Sequence, residues 1–99
     1  MNLFDVTENA WSEEITEILV QNKHVRIERI LSCGQTSGWY DQEESEFVVL
    51  LQGQAEITYE DQSIVRLTPG DCLFIPPHQK HKVSYTSQNP PCIWLCIFY

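Results

Sequence analysis

Glu46-Phe-Val-Val-Leu-Leu-Gln-Gly53 and Gly70-Asp-Cys-Leu-Phe-Ile-Pro-Pro-His-Gln-Lys-His81 decide how this chain folds. The first is an apolar run, rich in β-branched and aromatic residues, that favours a strand and ends at a glycine suited to a turn. Residues 46, 48 and 50 of such a strand share one face, which sets the Glu46 carboxyl beside Val48 and Leu50. On an apolar face a carboxylate is costly unless it keeps its proton, accepts hydrogen bonds or meets a cation. Glu46 is therefore the first candidate functional residue. Ahead of the second stretch, Thr68-Pro-Gly-Asp71 reads as a tight turn with proline at its first central position and glycine at its second. Cys72–Ile75 reads as a short buried strand that Pro76-Pro77 stops.

Further strands extend outward on both sides. Val25, Ile27, Arg29 and Leu31 alternate with Arg26, Glu28 and Ile30. Residues 55–60 and 64–67 flank Asp61-Gln62-Ser63 as a hairpin, and residues 82–86 and 92–98 are joined by Ser87-Gln-Asn-Pro-Pro91. So many short strands broken by turns predict an all-β sandwich or barrel. Residues 1–22 differ. Ser12 is placed as an N-cap, Glu13 and Glu14 suit a helix N-terminus, and Ile15, Ile18 and Leu19 fall on one helical face. The expectation is one domain, with an N-terminal short helix or irregular arm over 1–22 and a β-barrel over 23–99.

The spacing of the two stretches resembles that of the cupins. Their first motif runs Gly, five residues, His-x-His, three or four residues, Glu, six residues, Gly. Here Gly34 is followed by Tyr40-Asp41-Gln42, then Glu46 and Gly53, at the same intervals, with Tyr40 and Gln42 in the places of the two histidines. Their second motif is matched by Gly70, Pro76 and His81, with His78 in place of a glycine and Tyr85 in place of an asparagine. The resemblance implies a double-stranded β-helix, or jelly-roll barrel, with Glu46 and His81 facing one pocket.

It also implies a single divalent transition metal such as iron, manganese, zinc or nickel. Glu46 and His81 would be its ligands, with Gln42 as a weaker neutral donor and Asp41 as the alternative if a bulge turns it inward. Both imidazoles of the first motif are missing, however, and imidazole is the strong neutral donor for such metals. The competing reading makes Tyr40, Gln42, Glu46 and His81 a hydrogen-bonded pocket for a small molecule, without metal. That reading, with no metal or one bound only weakly, is preferred, and a single divalent metal is the alternative. Tyr40 and His78 are the candidate proton donors or acceptors if the protein is an enzyme of oxygenase or isomerase type, which the residues leave open.

The net charge of −8 repels phosphate backbones and anionic membranes, so neither nucleic acid nor membrane is expected as a partner. No export signal opens the sequence, and the four cysteines (Cys33, Cys72, Cys92 and Cys96) form no Cys-x-x-Cys. The expectation is a cytoplasmic protein with reduced, mostly buried thiols. Cys92-Ile-Trp-Leu-Cys-Ile-Phe-Tyr99 has no polar alternation and needs cover on both faces, which points to a homodimer.

Overall fold

The computed structural model describes residues 1–6 and 12–99. Eight strands are present among them: β1 (Ile15–Gln21), β2 (Arg26–Ser32), β3 (Glu46–Gln52), β4 (Ala55–Tyr59), β5 (Ile64–Leu67), β6 (Cys72–Ile75), β7 (His81–Thr86) and β8 (Cys92–Phe98). They form a five-stranded sheet in the order β1-β2-β8-β3-β6 and a three-stranded sheet in the order β5-β4-β7. All pairings are antiparallel. The chain repeatedly crosses from one sheet to the other, and the two sheets close on each other as a jelly-roll barrel.

The core lies between the sheets. Val48 and Leu50 of β3, Ile57 of β4, Ile75 of β6 and Cys92, Trp94, Cys96 and Phe98 of β8 are buried together. Parity explains the set: every second residue of β3 and β8 points inward. A smaller cluster covers the outer face, where Leu31 and Ile93 lie under Val6 and Ile15. The outer face of β8 thus receives part of its cover within the same chain.

The expected N-terminal helix is replaced by a strand. Ile15–Gln21 pairs with β2, and its exposure alternates along the chain instead of following a helical stripe. β-branched Ile15, Thr16, Ile18 and Val20 favour this state. Trp11, which the arm reading pinned to the sheet, lies outside the described residues.

Two turns hold the strands in place. Gly70 has φ +93° in the turn closed by the Asp71 amide donating to the Thr68 carbonyl at 2.9 Å. Gly53 has φ +90°, and a Cβ there would stand 2.9 Å from the Cα of Cys92 and 2.9 Å from the Ser87 hydroxyl. Glycine is needed at Gly53 for conformation and for space. β6 was expected to be buried, but Cys72 and Phe74 are exposed. It is an edge strand with one face turned to solvent, so Ile75 is buried in the core and Leu73 packs against it half-buried.

Candidate functional site

The barrel encloses a cavity of about 250 Å³. Val48, Ile57, Ile75, Val83 and Trp94 make its apolar wall. At its polar end stand Glu46 at the start of β3 and His81 at the start of β7, both buried. The two come from different sheets. The segment entering β3 bridges them, because the Tyr40 amide donates to the His81 carbonyl at 2.7 Å and the His81 amide donates to Tyr40 at 3.2 Å.

Hydrogen bonds fix the orientation of each group. Gln42 donates its side-chain N–H to Glu46 Oε1 at 3.0 Å. His81 Nδ1 lies 2.8 Å from the Gln79 carbonyl. A carbonyl only accepts, so Nδ1 carries the proton and Nε2 is free to face the cavity. Nε2 is 3.8 Å from Glu46 Oε1, beyond hydrogen-bond reach, and has no hydrogen-bond partner among the described residues. Burial raises the Glu46 pKa above the ordinary value, against hydrogen bonds from Gln42 and Cys96 and the nearby His81. Burial also pushes the Cys96 thiol well up, helped by the charge of Glu46.

Three of the residues singled out in the sequence therefore meet: Gln42, Glu46 and His81. Tyr40 lines the cavity with its ring centroid 5.5 Å from that of His81, while its other side is open to solvent. Its phenol is held protonated by burial first and then by the charge of Glu14. Asp41 does not turn inward: its carboxylate lies 2.8 Å from His78 Nδ1 on the surface. His78 faces a separate shallow groove with Tyr59, Phe74 and Lys80. Neither Asp41 nor His78 lines the cavity.

Sequence reasoning missed the charged wall on β1 and β2. Arg26 and Glu28 of β2 and Glu14 just before β1 all line the cavity. Arg26 is fully engaged, with Nε donating to Glu28 at 2.7 Å, NH1 donating to Glu44 at 3.0 Å, and its guanidinium 4.4 Å above the Phe98 ring. Glu14 accepts from the Ser32 hydroxyl at 3.2 Å, and Ser32 in turn accepts from the Trp94 indole at 3.1 Å. The Glu14 pKa is raised, mainly by burial and further by the charge of Glu28. The signal was the parity of residues 26, 28 and 30, which fall on one face of β2.

A transition metal of the kind cupins hold does not fit these donors. Glu46 and His81 could each reach one ion, but no group of three His, Cys, Asp or Glu side chains able to hold a metal occurs among the described residues. Gln42 offers its N–H and not its oxygen, and the phenol of Tyr40 and the thiol of Cys96 keep their protons. Two donors are too few for a resident ion.

Comparison with known proteins fits this architecture. The family model described as a cupin domain matches residues 29–98. A crystal structure from Ralstonia eutropha JMP134, named a "putative mannose-6-phosphate isomerase", is 36% identical, with 99% of this chain and 94% of that one covered and a TM-score of 0.93. A cupin superfamily protein from Desulfitobacterium hafniense DCB-2 is 23% identical over 92% of this chain and 81% of its own, with a TM-score of 0.79. An RmlC-like cupin from Desulfovibrio desulfuricans shares 17% identity over 99% and 93%, with a TM-score of 0.78. The last two show the fold alone. No curated protein matches the sequence.

Proposed function

Because the chain belongs to the cupin domain family, we propose that its barrel is a metal-free binding module that takes one small molecule in the cavity between Trp94 and the Glu46–His81 pair. The observation that carries this reading is the polar end of the cavity, where the Gln42 amide is spent on Glu46 while His81 Nε2 stays open. Apolar walls with a few convergent polar atoms are what a small-molecule site requires. The protein acts as a regulatory or accessory homodimer, with no nucleic acid or membrane as partner.

The competing reading is a metal-dependent cupin enzyme acting on a small organic substrate. The orientation of His81 favours it, since a metal-binding imidazole commonly donates its other N–H to a carbonyl, as Nδ1 does here to Gln79. Elemental analysis of protein purified without added metal separates the two. The expected result is iron, manganese, zinc and nickel all far below one per chain. A stoichiometric ion that a chelator removes would overturn the binding-module reading and support the enzyme.

A further inference from the structure

We infer that the ligand of this cavity is a small organic cation, a protonated amine on a body of about one ring, seated with its N–H donors between Glu46 and His81. This deepens the binding reading above and rests on it.

Three carboxylates, Glu14, Glu28 and Glu46, surround the cavity. Its one guanidinium, Arg26, already serves Glu28 and Glu44. Carboxyl groups therefore outnumber guanidinium groups in the lining, and a phosphate or carboxylate ligand would be set against them. An independent observation comes from His81, which is only 3% exposed and directs into the space an Nε2 that makes no hydrogen bond among the described residues. With Nδ1 turned to the Gln79 carbonyl, Nε2 presents its lone pair to the cavity, and the Glu46 carboxyl oxygen 3.8 Å away is a second acceptor. Two acceptors held at that separation leave room for one nitrogen that donates to both, at ordinary hydrogen-bond distances of about 2.8 Å each. An ammonium group supplies the donors and the missing positive charge together.

The rest of the cavity suits an apolar body. Trp94, Phe98 and Tyr40 contribute aromatic surface to the wall. Its volume of about 250 Å³ lies below the usual range of drug-sized pockets, roughly 300–1,000 Å³, so the body is limited to about one ring.

The test compares three isosteric probes on the intact protein at pH 7.5: benzylammonium, benzyl alcohol and benzoate, followed by amide chemical shifts in NMR. The expected result is at least a tenfold tighter affinity for benzylammonium than for benzyl alcohol, no saturable binding of benzoate, and shifts centred on Gln42, His81 and Trp94. Glu46→Gln should lower the benzylammonium affinity at least tenfold. Equal or stronger binding of the alcohol or benzoate, or of mannose 6-phosphate run as a fourth probe, would overturn the cation inference and leave the pocket reading standing. Failure of all four to bind would overturn the inference as well. Elemental analysis of the purified protein tests the metal-free pocket reading separately. The preference among probes is read on the unaltered protein and does not depend on the variant folding.

Discussion

His81 Nε2 and Glu46 Oε1 stand 3.8 Å apart at the junction of the two sheets, one at the start of β7 and the other at the start of β3. The separation is too long for a hydrogen bond and short enough for one atom to bridge. The two side chains are positioned by different neighbours, Gln79 for the imidazole and Gln42 for the carboxylate, so the gap does not depend on their touching.

The burial of Glu46 makes stability depend on pH. Its pKa is raised in the folded protein, so the folded state binds its proton more tightly than the unfolded chain does. Its stabilising contribution is complete below the ordinary carboxylate value of 4.5 and is lost as pH rises through the raised folded value. Glu14 acts in the same direction. The urea midpoint of the unaltered protein should therefore fall between pH 5 and pH 8, and the fall should be smaller in Glu46→Gln. Parallel pH profiles for the two proteins would contradict the burial of a titrating carboxyl at this position.

Gly53 and Gly70 share a positive φ but differ in surroundings. Nothing lies within 4 Å of a Cβ at Gly70, so Gly70→Ala meets only backbone strain, roughly 1–2 kcal/mol. At Gly53 the Cβ also meets the Cys92 backbone at 2.9 Å, and such overpacking adds about 1–3 kcal/mol. Urea unfolding should rank Gly53→Ala as the more destabilised. Equal midpoints for the two variants would show that Cys92 and Ser87 do not crowd Gly53.

Legibility followed how cleanly one face of a strand is buried. β3 alternates buried and half-buried residues from Glu46, so parity alone placed its carboxyl inside. The turn glycines were readable because each stands between two strands. Even a substituted motif position kept its geometry: His78 occupies a glycine's place and adopts φ +61°. β2 was harder to read, because it is covered on both faces. Arg29 is buried on the outer side, held by Glu17 and by the carbonyls of Leu3 and Asp5, while Glu28 is buried on the inner side. A strand covered twice gives no clean alternation to tell inside from outside. β1 was misread for a related reason. A bulge between Ile18 and Val20 breaks its register with β2, and apolar residues at 15, 18 and 19 then imitate a helical face.

The four cysteines are free and differ in access. Cys72 is exposed on the edge strand, Cys33 is half-buried, and Cys92 and Cys96 lie in the core. With Ellman's reagent, the native protein should show one thiol reacting promptly, a second more slowly and two that react only after denaturation. The prompt reaction should disappear in Cys72→Ser. A total below four free thiols in denaturant without reductant would contradict the unpaired state.

A homodimer is expected because apolar surface remains on the five-stranded sheet. Ile93 is covered by residues of its own chain, but Ile18 and Val20 on the edge strand β1 are 55% and 48% exposed. An edge strand with free backbone groups and apolar side chains invites pairing with a second copy. Sedimentation equilibrium at tens of micromolar should return twice the 11.5 kDa chain mass. Monomer alone at that concentration would remove dimerisation from the proposal.

His78 provides a test of which histidine belongs to the site. Its positive φ costs about 1 kcal/mol relative to glycine, and in return its Nδ1 makes one exposed hydrogen bond with Asp41 at 2.8 Å. Both side chains are about half exposed or more, so that contact contributes at most about 1 kcal/mol. The two effects oppose each other in His78→Gly. The amide of residue 78, which donates to the Gln42 carbonyl at 2.8 Å, is kept. The variant should have a urea midpoint equal to or above that of the unaltered protein in 0.5 M salt, and it should bind benzylammonium with unchanged affinity. His81→Ala should instead weaken that binding, because it removes the acceptor facing the cavity. A loss of binding in His78→Gly comparable to that in His81→Ala would place His78 in the site and contradict its separation from the cavity.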